Sequence, residues 1–247
     1  MERREYQLVG EVQTAHWWWR GRRRIIEAVL DRKVGRSRPL QVADIGSGYG
    51  ANIPMLARYG EVSALEMDDD ALARIKRDHG DRVRTIRWKS PEPIDQRFDL
   101  MLLADVLEHI PDDRQAVRWI WEHLTDGGHV LVTVPAHQFL WTEMDDVVHH
   151  FRRYTLPGLA RLFSRGFDVR LVTYYNLVLF PVKLAFVGFA RTLRSLMPQR
   201  EKRSYNDLPP RLVNAVFEFV LRCEAGIIPK IPLPFGVSLV LLARKRP

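Results

Sequence analysis

The chain of 247 residues contains one cysteine, Cys223, and this excludes an intrachain disulfide. Cys223 lies in an apolar run without a nearby histidine, so the sequence does not recommend it as a nucleophile. Residues 1–6 lack the apolar core of a signal peptide, and we expect a cytoplasmic protein. No zinc-ligand spacing and no RNA-binding signature occurs, so the sequence predicts neither a metal site nor a nucleic-acid partner.

Positive charge is in excess, with a formal net charge of +8. The cations gather in two clusters, which are Arg20, Arg22, Arg23 and Arg24, and Lys183, Arg191, Arg194, Arg200, Lys202 and Arg203. Such clusters attract anionic surfaces. Because the second cluster is embedded in apolar sequence rather than in a flexible polar loop, it favours an anionic membrane surface over nucleic acid.

Strand and helix signals alternate through the first 175 residues, and a hydrophobic content of 46% allows one substantial core. A helix is predicted over 17–30. Strands are predicted at 41–45, 62–67, 83–88, 98–104, 129–135, 167–174 and 237–243. Seven strands with helices between them predict a single α/β domain built on a doubly wound sheet.

Residues 42–50 read V-A-D-I-G-S-G-Y-G, an apolar strand that runs into glycines at alternate positions. Gly46, Gly48 and Gly50 let the backbone turn tightly and approach a ligand without an intervening Cβ. The start of the next helix would add free N–H groups. The segment therefore predicts a nucleotide-cofactor loop.

Two cofactors compete for this loop. Gly46, Gly48 and Ala51 also satisfy the dinucleotide fingerprint, and Glu66 stands where a ribose-binding acid belongs. Asp44 precedes the first glycine by two residues. An acid there can receive the ammonium group of an amino-acid cofactor but would repel a pyrophosphate, which favours S-adenosylmethionine over NAD.

A third segment agrees, since residues 98–110 form an apolar strand followed by the run L-E-H-I at 107–110. With the loop and Glu66, it resembles the class I S-adenosylmethionine-dependent methyltransferases over residues 40 to about 174. The resemblance implies a Rossmann-like sheet, its last strand antiparallel beside the fifth, and S-adenosyl-L-methionine as cofactor. The implied cofactor contacts are Asp44, Gly46, Ser47, Gly48, Gly50, Glu66, Met67, Ala104, Asp105 and Val106.

The third strand departs from the family pattern. The family carries an acidic residue there for the adenine amino group, whereas residues 86–90 offer none. We therefore predict that Ser90 or backbone groups contact the adenine.

Residues 134–155 follow the fifth strand, at the sheet edge where open α/β folds bind ligands. They resemble the V-P-A…L-W…D-x-x-x-x-H-x-R-R-Y-T pattern of a bacterial methyltransferase subgroup associated with glycolipid or surface-polysaccharide pathways. On this basis we predict His150 as the general base and Asp145 as its orienting partner, with Tyr154 also in the catalytic site.

The acceptor contacts follow from the same segment. Arg152 and Arg153 are predicted to clamp an anionic group of the acceptor, with surface charge as the alternative interpretation. His109 is the alternative base, and His109 and Trp141 are predicted to contact the acceptor.

The run from His16 to Ile26 also matches this subgroup, in which the equivalent segment closes over the cofactor. Trp19 and Arg22 are therefore predicted cofactor contacts, with Arg22 near the cofactor carboxylate. The alternative is a solvated amphipathic helix, but three consecutive tryptophans are costly to leave in water.

Residues 176–236 fill a place where the family has a short connection. We predict an in-plane amphipathic helix within 177–196, a second helix at 211–222 and a proline-stiffened apolar loop at 227–235. The alternatives are that these helices cover the sheet or form a dimer interface. The predicted parts are thus 1–39, an N-terminal helical lid; 40–175, the cofactor-binding core; 176–236, a hydrophobic insertion; and 237–247, the final strand and tail.

We predict an S-adenosylmethionine-dependent O-methyltransferase for a lipid, a lipid-linked sugar or another membrane-resident acceptor, peripheral at the inner face of an anionic membrane. One alternative is a soluble O- or N-methyltransferase of a small metabolite. Another is a non-catalytic subunit that anchors a partner enzyme to the membrane. The sequence does not indicate an oligomeric state.

Overall fold

The computed structural model describes residues 3–196 and 208–246. The helices are α1 Arg3–Val12, α2 Trp17–Lys33, α3 Ile53–Leu56, α4 Asp69–His79, α5 Asp113–His123, α6 Glu143–Val147, α7 Leu156–Leu162, α8 Phe180–Leu196 and α9 Arg211–Ile227. The strands are β1 Leu40–Ile45, β2 Gly60–Glu66, β3 Val83–Arg87, β4 Phe98–Ala104, β5 Leu124–Pro135, β6 Phe167–Tyr175 and β7 Ser238–Lys245. Three members of the second cationic cluster lie outside the described residues, namely Arg200, Lys202 and Arg203.

The strands form one seven-stranded sheet in the order β3-β2-β1-β4-β5-β7-β6. Strands β1 to β5 pair in parallel, while β7 runs antiparallel between β5 and β6. The predicted doubly wound, Rossmann-like sheet is confirmed. The order reverses at β1 and β4, so their carboxyl ends flank the crevice in which such sheets bind ligands.

Helices cover both faces of the sheet, as a mostly parallel sheet requires. One core contains Phe98, Trp119 and Phe163, and the other contains Ile25, Leu56 and Leu221. Side-chain caps fix where helices begin: Asp68 accepts from the Ala71 amide before α4, and Asp112 from the Gln115 amide before α5.

Several element boundaries differ from the predictions. Strand β5 begins at Leu124 rather than at residue 129, and α2 continues to Lys33 rather than ending at residue 30. Helix α1 was not predicted. Helix α3 is only one turn long. The amides of Gly46, Ser47 and Gly50 donate to backbone carbonyls, and the Gly48 amide donates to Glu66, so these amides stabilise the loop itself.

Helix α9 packs against α2 through polar residues. The Trp17 amide donates to Asn214 at 2.8 Å, Asn214 donates to the Ala15 carbonyl at 3.0 Å, and Arg20 pairs with Glu218 at 3.0 Å. Asn214 and Glu218 of α9 therefore face the protein together with the buried Leu221, whereas Leu212 and Phe219 are exposed.

Within residues 3–196 and 208–246, no helix is long and apolar enough to cross a membrane.

Candidate active site

A cavity of about 980 Å³ opens beside the glycine loop and the carboxyl end of β4. The predicted site residues that line it are Trp19, Arg22, Gly46, Ser47, Gly48, Glu66, Met67, Ala104, Asp105, Val106, His109 and His150. The predicted site residues that do not line it are Asp44, Gly50, Ser90, Trp141, Asp145, Arg152, Arg153 and Tyr154. The cavity thus joins the predicted cofactor and acceptor regions.

The glycine loop has the backbone that its sequence requires. Gly46 and Gly48 adopt φ values of 62° and 53°, in the left-handed region that favours glycine. A Cβ atom at Gly46 would approach Val106 to 2.8 Å. A side chain at this position would therefore strain the backbone and collide with the residue after β4.

Glu66 holds the loop from the end of β2. Its carboxylate accepts hydrogen bonds from the amides of Gly48 at 2.8 Å, Met67 at 2.7 Å and Asp68 at 3.1 Å. These donors fix the carboxylate at the cavity wall, where an oxygen atom can still accept from a ribose hydroxyl.

Asp44 is buried at the end of β1 with 1% exposure. Neither carboxylate oxygen has a hydrogen-bond partner of good geometry among the described residues, although the Asn52 side chain lies near enough to favour the ionised form. Burial raises the pKa of Asp44 to about 7. Asp44 does not itself line the cavity, but it lies two residues before Gly46, which does. A buried acid in this place fits a ligand with an ammonium group, so these residues fit the predicted cofactor.

The Asp44 environment makes cofactor affinity depend on pH. Below its raised pKa, Asp44 is protonated and must lose a proton to pair with an ammonium group. We expect S-adenosylhomocysteine to bind about tenfold more weakly at about pH 6 than at about pH 8 in titration calorimetry. Asp44→Asn should bind weakly with a flat pH profile, and wild-type affinity constant over this range would contradict the assignment.

Arg22 reaches the cavity from α2 and is nearly buried. It forms an ion pair with Asp105 and donates to the Ala104 carbonyl at 3.3 Å. The Nε atom of Arg22 has no partner among the described residues and can donate to a carboxylate. Trp19 packs edge-on against His16, with ring centroids 4.9 Å apart.

Sequence reasoning missed Tyr6 on α1, which lines the cavity. Its ring packs against Tyr49 of the glycine loop at 5.1 Å, and its hydroxyl group lies beside the Glu66 carboxylate. Burial raises the pKa of Tyr6 above its usual value. Tyr6 and Gly10 are four residues apart, so they share one face of α1, and both lie against Tyr49. This helical spacing is the signal in the sequence from which α1 could have been predicted.

His150 is held from behind by Asp145. The Nδ1 atom of His150 donates to Asp145 Oδ1 at 2.8 Å, which leaves the Nε2 lone pair free for chemistry. Arg153 grips the same carboxylate, with Nε to Oδ1 at 2.8 Å and a second bond to Oδ2 at 2.9 Å. Although burial opposes ionisation, the hydrogen bond from His150 and the charge and hydrogen bonds of Arg153 hold the pKa of Asp145 below its usual range.

The structure corrects the predicted anion clamp. The Arg153 guanidinium is 8% exposed and engaged by Asp145, so it positions the acid instead of meeting an acceptor. Arg152 pairs with Asp113 at 2.9 Å. Tyr154 is buried and donates to Asp113 at 3.2 Å, so it supports the fold outside the cavity.

Two further contacts are also corrected. Trp141 donates to Asp146 at 3.0 Å, and its ring centroid lies 6.5 Å from that of His150, behind the residues that line the cavity. Ser90 lies in the turn after β3 and does not reach the cavity. The cavity wall near Met67 includes Asp68, Asp69 and Asp70.

Comparison with known proteins agrees with this geometry. Residues 43–130 match a family model described as a methyltransferase domain. The chain is 30% identical over 100 residues to trans-aconitate 2-methyltransferase from Deinococcus radiodurans. That alignment covers 39% of this chain and 38% of the curated relative's length.

Solved structures share the fold over nearly the whole chain. An S-adenosylmethionine-dependent methyltransferase from Mesorhizobium loti has a TM-score of 0.58 at 14% identity, covering 94% of this chain and 100% of that one. The N-methyltransferase NodS from Bradyrhizobium japonicum, in complex with S-adenosyl-L-homocysteine, has a TM-score of 0.57 at 13% identity and covers 98% of both chains. These comparisons identify a methyltransferase domain at residues 43–130, set in the fold that these S-adenosylmethionine-dependent methyltransferases share.

Proposed function

We propose that the chain transfers a methyl group from S-adenosylmethionine to an oxygen atom of a lipid, a lipid-linked sugar or another membrane-resident acceptor. The bound cofactor supplies an electrophilic methyl group on sulfur. The protein must hold the acceptor oxygen against that group and assist loss of its proton. The Nε2 lone pair of His150 is the group available to act on the acceptor hydroxyl, either directly as a base or through a bound cation.

The observation that carries the choice of acceptor is an apolar surface on α8, α9 and the loop that follows, here called the apolar face. Its exposed residues are Val182, Leu184, Phe186, Phe189, Leu212, Val213, Val216, Phe219, Ile227, Ile231 and Phe235. Leu212 is 77% exposed, Phe189 68% and Phe219 64%. So many large apolar side chains are seldom exposed on neighbouring segments of a chain, so they indicate a surface that binds an apolar partner.

The orientation of α9 supports this interpretation. Its residues Asn214 and Glu218 contact α2, whereas Leu212, Val216 and Phe219 point away from it. Although Leu221 of α9 is buried in the core, an ordinary surface helix would not also expose large apolar residues on its outer side. The outer side of α9 therefore suits a lipid environment better than water.

Exposed cations accompany the apolar face, as binding to an anionic membrane requires. Arg211, Arg222 and Lys230 are exposed on α9 and on the loop after it. Lys183 on α8 is half-buried rather than exposed. It lies over the Phe186 ring at 5.7 Å, and burial lowers its pKa to about 8. Cations near an anionic headgroup layer each contribute about 1 kcal/mol to binding. The side chains of Arg191 and Arg194 lie outside the part of the chain that the structure describes.

The apolar face continues into residues 134–155, the segment after β5 that was predicted to bind the acceptor. Phe180 at the start of α8 contacts His137 and Phe139, with ring centroids 5.8 and 6.4 Å apart. Phe235 joins the same cluster, 5.4 Å from Phe180. A membrane-resident acceptor could then approach His150 along the segment that follows β5.

A small-metabolite acceptor is the second candidate, favoured by the comparisons. Trans-aconitate 2-methyltransferase and the 1,6-didemethyltoxoflavin-N1-methyltransferase of Burkholderia thailandensis, with a TM-score of 0.56 at 20% identity, are named for small-molecule acceptors. Incubation of lipid and aqueous extracts with the protein and S-adenosylmethionine separates the two. We expect a product one methylene heavier in the lipid extract, and a product in the aqueous extract alone would overturn the proposal.

We expect the protein to cosediment with vesicles that contain anionic lipid, and less so at high salt. Phe189→Ser with Phe219→Ser should lower partitioning by at least about tenfold, since each buried phenylalanine contributes about 1.5–3 kcal/mol. Trp121→Ser, at an exposed aromatic residue on α5, is the matched control and should partition as the wild type does. The membrane proposal would be wrong if the double variant partitioned as the wild type does. It would also be wrong if the protein formed a concentration-dependent dimer and did not bind vesicles, because the apolar face would then be a protein interface.

A further inference from the structure

Glu108, His109 and His150 meet at the wall of the cavity. Each offers one ligand atom, and these atoms lie within 4.8 Å of one another. His150 Nε2 is 3.8 Å from Glu108 Oε1, and the two imidazole ring centroids are 4.6 Å apart. Glu108 and His109 follow β4, whereas His150 follows α6, so the cluster forms only in the folded chain.

Glu108 lacks the partners that a buried acid needs. Its side chain has 0% exposure, and neither carboxylate oxygen has a hydrogen-bond partner among the described residues. The nearby guanidinium groups are engaged elsewhere, Arg22 by Asp105 and Arg153 by Asp145. A buried, unpaired carboxylate is costly, so this position favours a cation beside Glu108.

Both histidines are oriented as metal ligands are. His150 donates Nδ1–H to Asp145, and a ring nitrogen of His109 is hydrogen-bonded to the backbone of His149. Each imidazole therefore keeps one nitrogen with a free lone pair. A histidine that binds a metal nearly always donates its other ring N–H to a carboxylate or a backbone carbonyl.

We propose that Glu108, His109 and His150 bind one divalent transition-metal cation. Two imidazoles and one carboxylate suit zinc, manganese, iron or cobalt better than magnesium or calcium. Such ions lie about 2.0–2.2 Å from each ligand, so the three side chains need to close by less than about 1 Å. Three protein ligands leave open positions for the acceptor and for water.

The role of the cation rests on the proposed function, although its binding does not. An acceptor hydroxyl bound to the cation loses its proton to solvent water more readily. The oxygen then bonds to the methyl carbon, and the carbon–sulfur electron pair stays on sulfur. His150 acts here as a ligand. An acceptor with a second oxygen beside the reacting hydroxyl, such as a vicinal diol, would fill two open positions.

The test is binding of Mn²⁺ to the metal-stripped protein, followed by the loss of the free-ion electron paramagnetic resonance signal. We expect about one Mn²⁺ per chain, displaced by Zn²⁺. Glu108→Gln and His150→Ala should each weaken binding by at least about tenfold. Glu122→Gln removes an exposed carboxylate from α5 and should bind as the wild type does.

Wild-type protein that binds neither Mn²⁺ nor Zn²⁺ at about 1 mM would overturn the proposal, whether or not the variants fold. Mn²⁺ binding that Glu108→Gln leaves unchanged would also overturn it. Circular dichroism verifies that each variant is folded. Titration with S-adenosylhomocysteine in the presence of a chelator tests cofactor binding separately, so failure of the metal site and failure of the proposed function give different results.

Discussion

His150→Ala is expected to lower turnover by about 10²–10⁴-fold while leaving affinity for S-adenosylhomocysteine nearly unchanged. His150 is held by Asp145 at 2.8 Å and lines the cavity, and it is not among the residues predicted to contact the cofactor. Loss of the imidazole should therefore affect the acceptor step. Steady-state kinetics with the methylated lipid fraction and titration calorimetry together measure both quantities.

Two variants accompany this measurement. Asp145→Asn should lower turnover less, since an amide can still position the ring without stabilising its positive charge. His129→Ala, on β5 outside the cavity lining, should leave turnover unchanged. Turnover that survives both the His150 and the Asp145 changes would mean that this segment only shapes the cavity.

A chelator distinguishes the two ways in which His150 can act. If the imidazole is a base without a metal, removing divalent cations leaves wild-type turnover unchanged. If His150 is a cation ligand, chelation lowers turnover toward the His150→Ala level, and Mn²⁺ or Zn²⁺ restores it.

Glu66→Ala is expected to weaken S-adenosylhomocysteine binding by about 1.5–3 kcal/mol. The carboxylate accepts three backbone amides around the loop and is placed to receive ribose hydroxyls. Its removal costs the ligand those bonds and loosens the loop. Glu61→Ala, at an exposed position on the same strand, is the matched control for titration calorimetry and should bind normally. If the Glu66 variant bound S-adenosylhomocysteine as tightly as the wild type does, Glu66 would not bind the ribose.

The fold could be predicted because its signals are local. Apolar strands such as β4, buried on both faces, and helices with polar caps leave their pattern in a continuous stretch of sequence. The start of β5 was missed because residues 124–128 include Asp126 and two glycines, which read as a turn. The glycine loop and Glu66 were found for the same reason, since their spacing along the chain carries the information.

The part of the site that was predicted to bind the acceptor was harder to predict, because it depends on contacts between residues that are distant in sequence. Sequence alone left Arg153 and Arg152 free for an anion, but Asp145 and Asp113 engage them in the folded protein. In the sequence, Glu108 was recognised only as part of the run L-E-H-I. No residue spacing in the sequence indicates that its carboxylate lies close to His150 in the folded protein. Such pairings depend on how the segments after β4 and β5 pack together.

The most direct test of the account is parallel calorimetric titration of the purified chain with S-adenosylhomocysteine and with NAD. Asp44, the glycine loop and Glu66 predict saturable binding of S-adenosylhomocysteine at about one molecule per chain, with NAD far weaker. Tight NAD binding without a response to S-adenosylhomocysteine would contradict it.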